Sequence, residues 1–454
     1  MAGELFATNT RAVAPPVSGG GKLTLFLLAL VIVIVAEAIG NVSIPVGAGK
    51  IVLLPLLWAL LLGGALGLMS PRLPAPLRLS TALQNAAGAY LQPALLIFIA
   101  KLGLLVGGSL PKILASGWAL AFQEFGHFFG TMVFGLPVAL LLGIKREAIG
   151  ATFSVGREPS LAIIGERYGM DSPEGRGVLA EYLTGTVFGA VFIALLAGLI
   201  ASLKIFNPLA LAMGAGVGSG SMMAAASGAI AAQQTPEVAK DVATFAAASN
   251  LVTTTIGTYF TLFLSLPFTI WAYGKLEPIL GRNRVDAARP AEADPQAAAP
   301  AHQEVRISLG ETVLAWILIG AYGLIGNWLT YGVVPDAQVV AGMAIIIGTV
   351  LAGWGLYLLL GRRLPAVLWV SIIGMALTYP GTPYAAEIAA LTGKLNFLAL
   401  ATPILTFAGL SVAKDVPAFR RLGWRIVVVS FMANAGTFLG AVLIAQFFMH
   451  PPMG

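Results

Sequence analysis

A charged pair, Arg157-Glu158, interrupts an otherwise apolar part of the sequence. It lies in the segment SVGREPS (154–160), where a glycine and a proline flank the two charges. Charged side chains are costly in an apolar setting and usually functional, and arginine binds carboxylates in bidentate fashion. Arg157 is therefore a candidate anion-binding group. The alternatives are a structural Arg157–Glu158 pair and a position of both charges at the cytoplasmic mouth. The candidate residues of this segment are Ser154, Gly156, Arg157, Glu158 and Ser160.

A second unusual stretch, GAGVGSGS (214–221), places glycines and serines within an apolar run. Glycine permits a left-handed backbone and close approach to a ligand. A helix that starts near Met222 would direct its N-terminal amides and the positive end of its dipole at an anion. Small residues also allow helices to pack closely, and this alternative is favoured for the following MMAAASGAIAA (222–232). The candidate residues are Gly218, Ser219, Gly220, Ser221 and Met222.

Five further residues are candidates for coupling a cation. Glu124 and His127 are three residues apart and share a helix face, as expected for a proton relay, a cation site or a structural pair. Asn250 and Thr254 are four apart and offer the neutral oxygens that suit Na⁺, although such side chains also bond to their own helix. Glu181 occupies a similar predicted depth in an equivalent helix, and a position near the membrane interface is the alternative.

The composition identifies the class of protein that carries these residues. Of the 454 residues, 58% are hydrophobic and only 10% are charged. Many separate apolar runs predict an all-α polytopic membrane protein. The absence of cysteine excludes thiol chemistry, and three histidines are too few for a His-rich metal site. No cofactor is expected beyond a coupling ion, and no nucleic-acid partner.

The apolar runs predict about eleven transmembrane helices. They span residues 23–40, 51–69, 88–109, 112–143, 175–203, 241–274, 311–331, 336–360, 365–380, 396–412 and 418–448. Residues 148–168 and 208–232 are predicted to be re-entrant hairpins that enter and leave on one side. Lys101 falls inside a helix, where its side chain is expected to extend towards the membrane surface, and contact with an anion is the less favoured alternative.

The distribution of positive charge predicts the orientation. With both hairpins re-entrant, 20 of the 26 Lys and Arg residues fall on one side and five on the other, with Lys101 in a helix. The positive-inside rule makes the richer side cytoplasmic. The tail 1–22 and the Ala/Pro-rich linker 275–308 are then cytoplasmic, and the C-terminus is periplasmic in a bacterial inner membrane.

Two internal repeats are visible. At an offset of 306, residues 103–131 align with 409–437 without a gap at nine identical positions, including Pro111/Pro417 and Trp118/Trp424. At an offset of 63, residues 155–174 align more weakly with 218–237. An odd number of crossings separates the members of each pair, so the repeats are predicted to be inverted and the second circularly permuted. Inverted repeats with broken helices are typical of secondary transporters.

The segment 154–200 resembles the first re-entrant signature of the sodium/glutamate symporters, and 214–232 is similar to their second glycine-rich signature. These symporters and the 2-hydroxycarboxylate transporters belong to a superfamily of cation:proton antiporter and anion transporter type. The resemblance implies inverted repeats, two opposed hairpins, a dimeric scaffold and elevator-type motion. The tip Val155–Pro159 departs from the family's Gly-Gly-His-Gly-Thr-like residues, so substrate and coupling ion do not carry over. The full chain looks more like a bacterial membrane-protein family without an assigned substrate.

These observations together predict a secondary active transporter, not an enzyme, that moves a small anionic solute, a carboxylate or an amino acid, with Na⁺ or H⁺. The transport domain is expected at 88–274 and 396–448, and a dimeric scaffold at 23–69 and 311–380. One rival is a cation/proton antiporter in which Glu124 exchanges protons and Arg157 is structural. An intramembrane enzyme is disfavoured, because no catalytic constellation with suitable spacing is present. A channel is disfavoured because no ring of charges is predicted to line a pore.

Overall fold

A computed structural model describes most of the chain. The described residues are 19–47, 49–74, 78–115, 118–155, 158–170, 172–281, 307–361, 364–421 and 423–449. Most of the predicted cytoplasmic tail and linker lies outside these residues, as do Gly156 and Arg157 and the side chain of Glu158.

The described chain is built of helices and one short β-hairpin. The first half contains α1 (Gly19–Ile39), β1 (Val42–Val46), β2 (Gly49–Leu53), α2 (Pro55–Met69), α3 (Thr81–Ala115), α4 (Ala119–Leu141), α5 (Glu147–Thr152), α6 (Glu158–Tyr168), α7 (Pro173–Thr184), α8 (Ala190–Leu203), α9 (Pro208–Ala215) and α10 (Gly220–Ala231). The second half contains α11 (Pro236–Phe260), α12 (Leu266–Leu280), α13 (Leu309–Tyr331), α14 (Ala337–Leu359), α15 (Ala366–Thr378), α16 (Ala385–Gly393), α17 (Phe397–Val412), α18 (Val416–Arg421) and α19 (Trp424–Phe448). Short π-helical segments, Gly185–Gly189 and Thr261–Ser265, make α7–α8 and α11–α12 continuous rods.

Several of these helices are long and apolar enough to cross a bilayer. Within the described residues there are seven, or eight if the bent pair α16–α17 forms one span. The protein is therefore an all-α polytopic membrane protein, as the composition predicts.

Several bounds of the predicted helices differ from the observed ones. The helix predicted at 418–448 is interrupted, since α18 ends at Arg421 and α19 begins at Trp424. Residues 51–53 belong to β2, which pairs antiparallel with β1, and α2 begins only at Pro55. Alternating β-branched residues and Pro45 favour the extended form there. The predicted helix start at residue 112 is also wrong. The helix α3 continues through Pro111 to Ala115, and α4 starts at Ala119. Proline disrupts a helix only locally, and the surrounding packing holds α3 together.

The two copies of the longer repeat pack against each other through α4 and α19, the most extensive helix pair in the described structure. Gly126 and Gly130 lie against Gly440 and Gly436, where a Cβ atom on any of the four would overlap a carbonyl oxygen of the facing helix. Small residues are what allow helix backbones to approach so closely in membranes.

The repeat helices α3 and α17 also have matching neighbours. The backbone of α3 approaches α15 at Gly103 and Gly374, and that of α17 approaches α2 at Gly409 and Gly63. Gly103 and Gly409 are equivalent in the repeat. The helices α3 and α17 therefore pack mainly against the predicted scaffold helices, whereas α4 and α19 pack against each other and against the hairpins. Which part moves stays a prediction.

Candidate functional site

The first broken segment consists of α5 and α6, within the predicted hairpin 148–168 and one residue before it; it is called hairpin 1. The backbone leaves helical geometry after Thr152. Ser265, in the π-helical segment between α11 and α12, donates a hydrogen bond to the Phe153 carbonyl. Ser160, in the first turn of α6, donates to the Ser154 hydroxyl oxygen at 3.1 Å. The break is thus stabilised by one hydrogen bond within hairpin 1 and by another from the continuous α11–α12 helix.

The second broken segment, hairpin 2, consists of α9 and α10 and coincides with the predicted 208–232. Asn250 of α11 donates from its side-chain Nδ2 to the carbonyls of Gly216 at 2.7 Å and Gly218 at 3.0 Å. Ser219 is the N-cap of α10 and accepts from the Met222 backbone N–H at 3.3 Å. Asn250 therefore holds the unwound loop, a role that the sequence did not predict.

Both breaks open onto one cavity of about 300 Å³. Hairpin 1 contributes Ser154, Pro159 and Ser160, and hairpin 2 contributes residues 218–221. The N-terminal ends of α6 and α10 thus reach the same space, and helix N-termini favour anions. The other walls come mainly from α3, α4 and α11.

The predicted anion-binding residues divide into three groups. Those that line the cavity are Ser154, Ser160, Gly218, Ser219, Gly220 and Ser221. Met222 does not line it: its buried side chain packs near Gly189 and Gly218. Gly156, Arg157 and the Glu158 side chain lie outside the described residues, so their roles stay predictions.

Glu124 and His127 form a buried dyad at the cavity wall. The Glu124 carboxylate is 0% exposed and accepts hydrogen bonds from the Gln123 amide at 2.8 Å and from the Thr253 hydroxyl. His127 Nδ1 lies 3.2 Å from Glu124 Oε2. An ionised carboxylate can only accept, so it fixes the proton on Nδ1.

The other ring nitrogen of His127 is the main unsatisfied group of the cavity wall. His127 lines the cavity, and its buried Nε2 has no hydrogen-bond partner among the described residues. Buried polar atoms are normally paired, and leaving one unpaired costs stability. A ligand group in the cavity would meet that requirement.

The remaining cation-coupling candidates separate by location. Asn250 and Thr254 line the cavity, and so do Thr253 and Thr261. Glu181 does not line it: its carboxylate is buried between α7 and α19, where it accepts from Asn434 Nδ2 at 3.0 Å. Thr253 was missed as a partner of Glu124 because nothing in the sequence relates α4 to α11.

Lys101 is not where the sequence predicted. Its side chain is only 2% exposed and donates a hydrogen bond to the Thr392 carbonyl of α16 at 2.7 Å. The expected extension to the membrane surface is therefore wrong. A carbonyl at the C-terminal end of a helix is a favourable partner for a cation, and it replaces water as the ligand of the ammonium group.

Comparison with known proteins gives a family but no activity. The family model DUF3100, described as a protein of unknown function, matches residues 34–275, which is more than half of the chain. The matched range includes α4, both hairpins and α11, and therefore most of the cavity wall. No curated protein and no solved structure matches the chain.

Proposed function

The chain belongs to the DUF3100 family, and we propose that it is a secondary active transporter of a small anionic organic solute, a carboxylate or an amino acid, coupled to Na⁺ or H⁺. One observation carries the proposal: two helices, each broken by an irregular loop, turn their breaks towards one cavity. Irregular backbone at membrane depth is tolerated where it lines such a cavity, and paired broken helices form the solute sites of many transporters.

The chemistry of the cavity favours an anion over a cation as the solute. Two helix N-termini reach it, and none of its described lining side chains is a carboxylate. Serine and threonine hydroxyls supply hydrogen bonds, while Leu91, Leu95 and Phe128 form an apolar wall. A volume of about 300 Å³ is at the small end of ligand pockets. The solute is thus a compact carboxylate, and Arg157, adjacent in sequence to the first break, is its proposed bidentate partner.

His127 offers a route to proton coupling. An anion beside His127 Nε2 favours the imidazolium, which donates from that nitrogen, while Glu124 holds the opposite side of the ring. Binding of the anion and uptake of a proton then support each other. Na⁺ coupling through Asn250 and Thr254 is the alternative, because their oxygens line the same cavity. Glu181 has no direct part in this scheme.

Ion pairs support the eleven-helix, inverted topology in the inner membrane. Lys112 pairs with Asp241 at 2.6 Å, and both fall on the predicted periplasmic side. Arg146 pairs with Glu174 and Arg176 with Glu147, all on the predicted cytoplasmic side. Under this topology hairpin 1 enters from the cytoplasm and hairpin 2 from the periplasm. We further propose elevator-type movement against a homodimeric scaffold.

A ligand screen tests the function. The purified full chain is heated with dicarboxylates, amino acids or 2-hydroxy acids, each with and without Na⁺ and at two pH values. A ligand that binds the folded state raises the unfolding midpoint. At least one class is expected to do so, Arg157→Gln is expected to abolish the response, and uptake into proteoliposomes should follow the same solute preference. If no anion shifts the midpoint or is taken up, the proposal fails.

The buried Glu124 favours one rival, a cation/proton antiporter. In that case adding Na⁺ to proteoliposomes without organic solute releases protons, and Glu124→Gln abolishes the release. For the transporter proposed above, the same addition leaves the internal pH unchanged.

A further inference from the structure

A second cavity, of about 570 Å³, lies at the base of hairpin 2 and shares no lining residue with the solute cavity. It is bounded by β2, the C-terminal end of α8, the first turns of α9 and the residues that follow α10. Both limbs of hairpin 2 and the β-hairpin therefore meet around it. This cavity is called the base pocket.

The charged side chains of the base pocket are all cationic. Lys50 and Lys204 line it, and no Asp or Glu is among its lining residues. Within the described part of the chain, neither ammonium group has an ion pair or a side-chain hydrogen bond. Two other lysines predicted on the same membrane side are engaged: Lys112 with Asp241 and Lys394 with Gln338. An anion between two like charges offsets their mutual repulsion and is attracted to both.

A glutamine beside the lysines adds a second requirement. Gln233 donates from Nε2 to the Gly198 carbonyl at 2.8 Å, which fixes the orientation of its amide. Its Oε1 is buried and has no partner among the described residues, yet Gln233 lines the pocket. An oxygen in this position accepts a hydrogen bond. The fitting ligand thus combines an anionic group with a hydroxyl or another donor.

The edge of the pocket is apolar. Val46 of β1 pairs with Gly49, a lining residue, and is 41% exposed. Ile205, between the lining residues Lys204 and Phe206, is 63% exposed. Lysines beside exposed apolar side chains are typical of a membrane interface.

We propose that the base pocket binds a phosphate group with an adjacent hydroxyl, held between Lys50 and Lys204 and donating to Gln233. The same chemistry is present in an anionic lipid headgroup and in free monohydrogen phosphate. Its occupant links β2 to both limbs of hairpin 2, so its binding stabilises that arrangement.

The test uses the full-length protein in a neutral detergent, without organic solute. One arm titrates short-chain phosphatidylglycerol against phosphatidylcholine of equal chain length, and the other titrates inorganic phosphate against chloride at equal ionic strength. Bound probe is counted by native mass spectrometry, and the unfolding midpoint is followed in parallel. Phosphatidylglycerol or phosphate is expected to bind. Binding of phosphatidylglycerol alone identifies a lipid site. Binding of inorganic phosphate alone identifies a site for soluble phosphate.

Variants assign the site. Lys50→Gln/Lys204→Gln is expected to weaken binding about tenfold or more, because two charged contacts are lost. The matched double variant Lys112→Gln/Lys394→Gln removes the same charge elsewhere on that side and should bind like the wild type. Lys204→Gln alone should be intermediate, which keeps the test valid if the double variant is unstable. Equal binding by the wild type and Lys50→Gln/Lys204→Gln, or no binding in either arm, overturns the proposal and leaves the solute cavity untouched.

Discussion

Thr131 and Thr437, 306 positions apart in the chain, contact each other through their hydroxyl oxygens at 2.5 Å where α4 crosses α19. They are equivalent positions of the longer repeat, and so are the neighbouring Gly130 and Gly436, which also meet. Contact between equivalent residues is what a two-fold relationship produces at its axis. If the repeats are inverted, as the sequence predicts, the crossing of α4 and α19 lies at the axis that relates them.

A larger side chain at the crossing of α4 and α19 is expected to destabilise the protein. In Gly436→Val the new side chain overlaps the Gly130 carbonyl and the Phe134 side chain, and such overpacking costs about 1–3 kcal/mol or more. The lowered midpoint is measured by thermal unfolding in detergent. Gly348→Ala in α14 is the matched control, because nothing lies within 4 Å of its Cβ position. A stable Gly436→Val variant would contradict the observed crossing.

Contact between the two hairpin tips can be tested by cross-linking, since the chain contains no cysteine. Ser160→Cys/Ser221→Cys places one thiol on each tip, and both positions line the cavity. A short bifunctional maleimide is expected to join them, as read by mass spectrometry after proteolysis. Ser160→Cys/Ser227→Cys, with the second thiol on α10 but away from the cavity, should not be joined. If residues 160 and 221 are not joined, the two hairpin tips do not lie close together, and the prediction is contradicted.

His127 is expected to control both affinity and pH dependence. In His127→Gln the ring nitrogen facing the cavity is replaced by a group that cannot become cationic. We expect about a tenfold or greater loss of anion affinity, equivalent to one charged hydrogen bond, and uptake that no longer changes between about pH 5 and 8. Both are measured in proteoliposomes.

The control for this substitution is His302→Gln, in the predicted linker. It should retain the wild-type affinity and pH profile. If His127→Gln keeps the wild-type pH profile, the proton is carried by another group and Na⁺ becomes the favoured coupling ion.

Removing the Asn250 side chain should loosen hairpin 2. Asn250→Ala removes the side-chain hydrogen bonds from Nδ2 to the carbonyls of Gly216 and Gly218, and the loss of one such hydrogen bond costs about 0.5–1.5 kcal/mol. Hydrogen exchange of residues 214–222 is expected to speed up, and the unfolding midpoint to fall. Thr349→Val is the control, because among the described residues that hydroxyl bonds only the Ile345 carbonyl of its own helix. If hydrogen exchange of residues 214–222 is unchanged in Asn250→Ala, the Asn250 hydrogen bonds do not stabilise the unwound loop.

Lys101→Met is expected to leave the stability unchanged or to raise it. The buried ammonium has a carbonyl partner but no carboxylate among the described ion pairs, and uncompensated buried charge is costly. The Thr392 carbonyl keeps a second donor, the Leu395 backbone N–H at 3.2 Å. Thermal unfolding measures the effect, and a large fall in the midpoint would mean that Lys101 has an essential electrostatic role.

The sequence predicted features with local causes. The breaks in both hairpins follow from glycine and proline. The helix predicted to start near Met222 is α10, which begins two residues earlier, at Gly220, with Ser219 as its N-cap. These signals lie within a few residues of their effect, so no knowledge of the fold was needed.

Features that depend on tertiary contacts were not predictable. The predicted depth of Glu181 is similar to that of Asn250 and Thr254, but the sequence could not indicate that these two residues line the cavity whereas Glu181 is buried between α7 and α19. The contact of Glu124 with Thr253, the clamp from Asn250 and the burial of Lys101 each join segments far apart in sequence. A single sequence contains no local signal for such pairs.

The rod formed by α11 and α12 touches both unwound loops: Asn250 holds hairpin 2 and Ser265 holds hairpin 1. Fifteen positions along one continuous helix thus connect the two unwound loops. In the transporter that we propose, a sliding or tilting of this rod would carry both loops in the same direction, so that one side of the cavity opens as the other closes. Coordination between the two membrane faces then requires no signal beyond the stiffness of a single helix.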